Sequence, residues 1–180
     1  MVDKTYNNVI DALKCVAYSH GMVHAVSTGN IEEIDTSGAV KYPLVHIVPN
    51  EVVASTNSLV FNFNLLAMDL VQVDESNEQE VLSDTLGIIT DIIAQYRQGG
   101  QLQIYPDNKG VFAQIDEDIT IEPFTEYLDN VVSGWNASFS IEIPFQYKAC
   151  SSFNITSDGE SFTFGATTNC LDFANTPSEQ

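Results

Sequence analysis

The run from Trp135 to Phe145, WNASFSIEIPF, constrains the fold more than any other stretch of this chain. Trp135, Ala137, Phe139, Ile141, Ile143 and Phe145 occupy one set of alternate positions. Asn136, Ser138, Ser140, Glu142 and Pro144 occupy the other. Successive side chains of a strand point to opposite faces, so this pattern predicts a strand with one face in a core and one facing polar surroundings. Upstream, Ile119 to Glu122 alternates apolar and acidic residues. Pro123 then removes a backbone donor, which predicts that this strand stops there. Between the two strands lies a polar and aromatic insert, Pro123 to Gly134. Its Phe124, Tyr127 and Leu128 follow no period that would bury them within one subunit, and together with Trp135 they are the candidates for a subunit interface. For Trp135 the competing role is structural, as the first inward residue of its strand.

Two segments carry helical spacing. From Thr5 to His20, the residues Tyr6, Val9, Ile10, Leu13, Val16 and Ala17 form one stripe, and Gly21 is placed to end the helix. From Glu78 to Arg97 the stripe is Leu82, Leu86, Ile89, Ile92, Ile93 and Tyr96. Asn77 and Glu80 have the spacing of a capping box, and Gly99-Gly100 follows the end. Strands are expected at Tyr42 to Val48, bounded by Pro43 and Pro49, and over Asn57 to Val73, where Phe61 and Phe63 alternate with Asn62 and Asn64 before the run turns wholly apolar. A short strand is expected at Gln101 to Tyr105, then a turn at Pro106 to Gly110, then a strand at Val111 to Ile115. The fold class that follows is α+β, a mainly antiparallel sheet packed against two helices, over residues 1–148. Residues 149–180 are rich in Ser, Thr and Asn and read as an extended C-terminal arm. A hairpin of Phe153 to Thr156 and Ser161 to Phe164 is its expected local structure.

Composition narrows the function classes. Six basic residues stand against 25 acidic ones, for a net charge of −19, and Arg97 is the one arginine. Affinity for a phosphate backbone needs clustered Lys and Arg, so tight nucleic-acid binding is not expected. The acidity serves solubility, or it forms a surface that repels nucleic acid: a channel lining past which DNA slides, or a DNA mimic that occupies a basic cleft. No apolar run approaches the roughly 18 residues of a membrane span. The N-terminal MVDKTYNNVI lacks the order of a secretion signal, which predicts synthesis in the cytoplasm. Cys15, Cys150 and Cys170 show no CxxC spacing, and a pair between the last two is disfavoured under cytosolic redox conditions.

Catalytic motifs are missing from the sequence. There is no GxSxG elbow, no GxxxxGK[ST] loop and no GxGxxG after a strand. His20 and His24 straddle a helix end, where Gly21 spoils the geometry that HxxxH metal binding requires, and His46 reads as an ordinary strand residue. The acidic clusters Glu32-Glu33-Asp35, Asp74-Glu75 with Glu78 and Glu80, and Asp116-Glu117-Asp118 match no calcium loop and read as solvated loops. No catalytic, cofactor or metal residue is nominated. A metal-dependent hydrolase would require carboxylates from separate segments to converge in one pocket.

The element order resembles the tail terminator and tail-completion proteins of tailed bacteriophages. The likeness covers about Thr5 to Tyr147 and rests on YPLVHIVP (Tyr42 to Pro49), SLVFNFNLLAMDLV (Ser58 to Val71), VLSDTLGIITDIIAQYR (Val81 to Arg97) and the run from Ile119 to Phe145 with its Asp129 to Trp135 turn. The Ser/Thr/Asn-rich arm departs from that family's compact pattern. The resemblance implies a non-enzymatic virion protein without cofactors. It implies a homo-oligomeric ring, hexamer or dodecamer, at the neck or head-proximal end of the tail. Its partners would be neighbouring tail and neck or portal proteins, with DNA passing but not tightly bound and no membrane. The runner-up from a different class is the acidic DNA-mimic inhibitor.

Overall fold

The structure, a computed structural model, describes residues 6–31, 34, 40–99, 114–127 and 131–144. All of them belong to the compact unit Met1–Phe145. The expected strand at Gln101 to Tyr105, the turn after it, Leu128, Cys150, Cys170 and the C-terminal arm lie outside the described residues.

The elements in chain order are α1 (Tyr6–Ser19), β1 (Ala25–Thr28), β2 (Leu44–Ala54), β3 (Ser58–Leu70), α2 (Glu78–Gly99), β4 (Gln114–Ile115), β5 (Thr120–Tyr127) and β6 (Val131–Pro144). They form the α+β fold, with a six-stranded sheet ordered β1-β2-β3-β6. Two strands share the far side of β6: β4 beside Ile141 and Glu142, and β5 from Val131 to Ser138. Among the described strands only the β1–β2 pair is parallel. The longest pairing is β3 with β6, in continuous antiparallel register from Ser58↔Pro144 to Leu70↔Val132.

That register sorts side chains onto two faces. On one, Phe61, Phe63, Leu65 and Ala67 of β3 and Ala137, Phe139, Ile141 and Ile143 of β6 pack with Val9 and Leu13 of α1 and Ile88, Ile89 and Ile92 of α2. The rings of Phe61 and Phe63 lie nearly parallel with centroids 6.4 Å apart. The predicted alternation of β6 is thus the observed one. The other face carries a smaller core of Leu44, Leu66, Met68 and Val132, with Ile34, Val40, Tyr42 and Phe124 packed on it.

Two expectations fail at prolines. The strand predicted to stop at Pro49 runs on to Ala54, and the strand predicted to stop at Pro123 runs on to Tyr127. Both prolines sit where a missing N–H is tolerated. Pro49 opens a register shift before Val52 and lies beyond Ile47, the last residue of β2 that β1 pairs. Pro123 is in β5, which pairs with β6 on one side and has no strand on its other side among the described residues. The insert Pro123 to Gly134 is therefore mostly a β5–β6 hairpin and not a protruding loop.

Two local corrections concern α2. In its first half the buried stripe is Val81, Thr85 and Ile88, with Leu82 and Leu86 only half-buried. Thr85 fits this apolar line because its hydroxyl donates to the Val81 carbonyl at 2.6 Å. Asn77 does not close a capping box: its Oδ1 accepts from the Gln72 N–H at 2.7 Å and its Nδ2 donates to the Leu70 carbonyl, so it ties the helix start back to the end of β3.

Gly134 is required by close approach. A Cβ there would lie 1.9 Å from the Ala67 carbonyl oxygen and 2.8 Å from the Met68 Cα. Both are backbone atoms of the central ladder and cannot swing aside. Gly134→Ala is expected to destabilise the chain by about 3 kcal/mol or more, at the top of the range for overpacking. Urea unfolding followed by circular dichroism measures this, and an unchanged midpoint would refute the packing described.

Candidate functional site: the helix-free face of the sheet

Alternation and register place Asn62 and Asn64 of β3, Asn136, Ser138 and Ser140 of β6, and Thr120 and Glu122 of β5 on the face away from the helices. Three of these polar groups bond to one another or to the backbone. The Ser138 hydroxyl donates to Asn64 Oδ1 at 2.8 Å, and Asn62 Nδ2 donates to the Glu51 carbonyl at 3.3 Å. Asp116 has a distinct role. β4 pairs as far as Ile141 and β5 begins at Ser138, so Ser140 falls in the gap between them. Asp116 accepts from the Ser140 N–H and from its hydroxyl, each at 2.7 Å, and bridges that gap. Arg97 fixes the same turn by donating to the carbonyls of Asp116 and Glu117. The run 116–118 is the exposed loop expected, and within it Asp116 also serves as a structural staple.

A groove of about 510 Å³ opens on this face between β3, β5, β6 and the segment after β1. Among the described residues, Ile31, Val48, Leu66 and Phe124 contribute apolar surface to it, and Asn30, Asn64, Asn136 and Glu126 polar groups. Phe124 stands opposite Gly134 in the register, where no side chain intervenes before Met68. The Phe124 ring packs on the small core of Leu44, Leu66, Met68 and Val132, beside a glycine that β3 leaves no room to replace. Asn136 Oδ1 is buried and has no hydrogen-bond partner among the described residues. A larger hollow of about 770 Å³ beside Tyr96, Arg97, Ile115 and Glu142 opens where the described chain stops at Gly99 and resumes at Gln114, and no site is read from it.

Other polar groups serve the packing of the elements. Ser133, fully buried, contacts Thr125 Oγ1 at 2.9 Å, and both hydroxyls reach Glu78 Oε1, at 3.2 and 3.0 Å. Two hydroxyl protons serve three contacts, so the carboxylate of the first residue of α2 is held to the β5–β6 hairpin. With Ser133 fully buried, no substrate reaches this serine. Ser27 Oγ and His46 Nδ1 are 2.7 Å apart and tie β1 to β2, with His46 only 1% exposed. His20 pairs with Asp91 at 3.3 Å, joining α1 to α2, whereas His24 turns to the Tyr42 carbonyl. The two rings of the HxxxH spacing therefore face different partners. Among the described residues no group of three or more His, Cys, Asp or Glu is placed to hold a metal ion.

Burial raises the Asp69 carboxyl above the usual carboxylate range and Asp84 adds to it, against the Leu70 N–H and His24, which act the other way. Asp74 is the opposite case, held below the usual range by the hydroxyl and N–H of Ser76. Burial pushes the Tyr96 phenol far above its ordinary value.

Of the residues named from sequence as one interface, Phe124 and Trp135 do not converge. Phe124 lies on the helix-free face, half-buried at the groove. Trp135 lies on the opposite face, where its indole N–H donates to the Leu82 carbonyl of α2 at 2.7 Å and its ring packs on the main core. Tyr127 ends β5 opposite Val131. The acidic residues Glu32, Glu33 and Asp35 lie outside the described residues. Sequence reasoning missed the Ser133–Thr125–Glu78 contacts and the Ser27–His46 pair. Their partners are up to 55 positions apart, and no local spacing signals them. No protein-family model matches the chain, and no curated protein matches it.

Asp69 yields a prediction of sign. Its folded value lies above 3.8, so the native state holds the proton more tightly than the unfolded chain. Stability contributed by this group is greatest below the unfolded value and falls as pH rises through the folded one. Asp69→Asn keeps an acceptor for the Leu70 N–H and removes the half-buried charge. It is expected to raise the melting temperature at pH 7 and to lose that advantage near pH 3.5. A variant melting below the parent at pH 7 would contradict the assignment.

Proposed function

We propose that this chain is a structural subunit of a tailed-phage virion that assembles as a ring at the neck or head-proximal end of the tail, with DNA passing through the lumen. The observation that carries the reading is the outer edge of β2. Beyond Ile47 that edge has no strand beside it among the described residues, and Val52 and Val53 are 48% and 45% exposed. An exposed edge with β-branched apolar residues is a template for pairing, which soluble chains normally blunt or cover. The opposite edge is blunted by Pro123. Two unlike edges suit a heterologous contact, the kind that closes into a ring.

Charge supports the same reading. A lumen that lets DNA slide benefits from a surface phosphate does not grip. The net charge is −19, and the one arginine is committed to the carbonyls of its own chain. Of the other described cations, Lys14 lies on α1 and Lys41 in the segment before β2.

The expected outcome is a closed hexamer or dodecamer in native mass spectrometry and electron microscopy of the purified chain. Because subunits of this charge repel one another, the ring should strengthen as salt rises from about 0.05 to 0.5 M. Val52→Lys with Val53→Lys, at exposed positions, should leave the fold intact and return the chain to monomers. A parent chain that stays monomeric throughout, or that is missing from purified virions, would overturn the proposal.

A further inference from the structure

We propose that the seam between neighbouring copies in the ring is a groove between α2 and β5, which receives Val52 from the free edge of β2 of the next copy while that copy's Glu51 meets Arg97. The inference rests on the ring reading given above and names the two surfaces that meet.

The groove has a volume of about 350 Å³. Ile93 and Ala94 of α2 line one side, Ile119 and Ile121 the other, and Thr90 and Arg97 add polar groups. Both sides belong to stretches that are described without a break, 40–99 and 114–127. Ile119 and Ile121 pack on the main core yet stay only partly buried. Ile121 stands opposite Ala137 and Val52 opposite Phe61, so both point to the helix side of the sheet. Pro123 denies β5 a full ladder on its outer edge, so a neighbour on that side is received by side chains.

The two surfaces lie on opposite margins of one sheet and at one level. Val52 pairs with Phe61, Phe61 with Ile141, and Ile141 with Ile115, whose successors Asp116 and Glu117 hold Arg97. Copies set side by side around an axis along the strands keep their levels, so these two margins come together. Leu70 and Val73 are also exposed, but they lie at and beyond the opposite end of β3. Charge selects the same pairing. At a net charge of −19 copies repel at most contacts, and Arg97 is a place where a neighbour's carboxylate is attracted. The two carbonyls fix the guanidinium through one of its nitrogens, and no carboxylate pairs with it among the described residues. The Glu51 carboxylate, one residue before Val52, is exposed and likewise has no ion-pair partner there.

The test is disulfide cross-linking of assembled rings in a background of Cys15→Ser, Cys150→Ser and Cys170→Ser. Copies carrying Val52→Cys are mixed with copies carrying Ala94→Cys, assembled at about 0.5 M salt and oxidised. Cross-linked dimers are expected from the mixture and from neither batch alone, because the two cysteines meet only across a heterologous seam. Val73→Cys in place of Val52→Cys should give none. Charge supplies a second readout. Glu51→Lys and Glu80→Lys make the chain less negative by the same amount, so relief of diffuse repulsion alone would strengthen the ring in both. The pairing with Arg97 predicts instead that Glu51→Lys raises the subunit concentration for half-assembly at least about threefold, whereas Glu80→Lys does not raise it. Rings that form without the 52–94 cross-link, or that Glu51→Lys strengthens, would overturn this seam and leave the ring reading standing. A parent chain that stays monomeric would overturn both.

Discussion

The pairing of β3 with β6 is the constraint on which the other elements depend. Its unbroken register gives each face a defined set of side chains, apolar toward the helices and mixed on the other side. A slip of one residue would exchange the two sets, turning Phe139 and Ile141 outward and Ser138 and Ser140 into the core. Gly134 leaves the space that the Ala67 carbonyl of β3 needs, and Phe124 of β5 is its partner in the register on the other side. Helix α2 is then fixed to this frame by its apolar stripe and by the Trp135 and Glu78 hydrogen bonds.

Much of this fold was legible in the sequence, and what was missed has a common cause. Period two in β6 and period 3.6 in the helices report which face is buried, and those readings held for α1, β3, β6 and the second half of α2. The prolines were misread because a sequence does not say whether a strand is central or at an edge. Pro49 and Pro123 would end a central strand, and both occupy positions with no strand on one side among the described residues. The same ignorance made Phe124 look like a loop residue, when it is half of a cross-strand pair with a glycine. Asn77 had the spacing of a cap, but the tight β3–α2 connection offered its side chain nearer partners.

The proposed interface showed the same limit. Phe124 and Trp135 stand eleven positions apart on paired strands, at places of opposite pleat, so the sheet itself separates them. What the sequence did convey about function is its charge. The structure gives that charge a setting: the one arginine is held by carbonyls of its own chain, and the described lining of the groove on the helix-free face mixes asparagine amides and Glu126 with apolar residues.

The claim that everything rests on the β3–β6 ladder is tested most directly by amide hydrogen exchange under native conditions. The account predicts that the amides of Phe61 to Leu66 and Ala137 to Ile141 exchange slowest of the described residues, through global unfolding alone. Amides in β1 and along the outer edge of β5 should open earlier. Exchange in β6 as fast as in β1, or slowest exchange located in α1 instead, would contradict it.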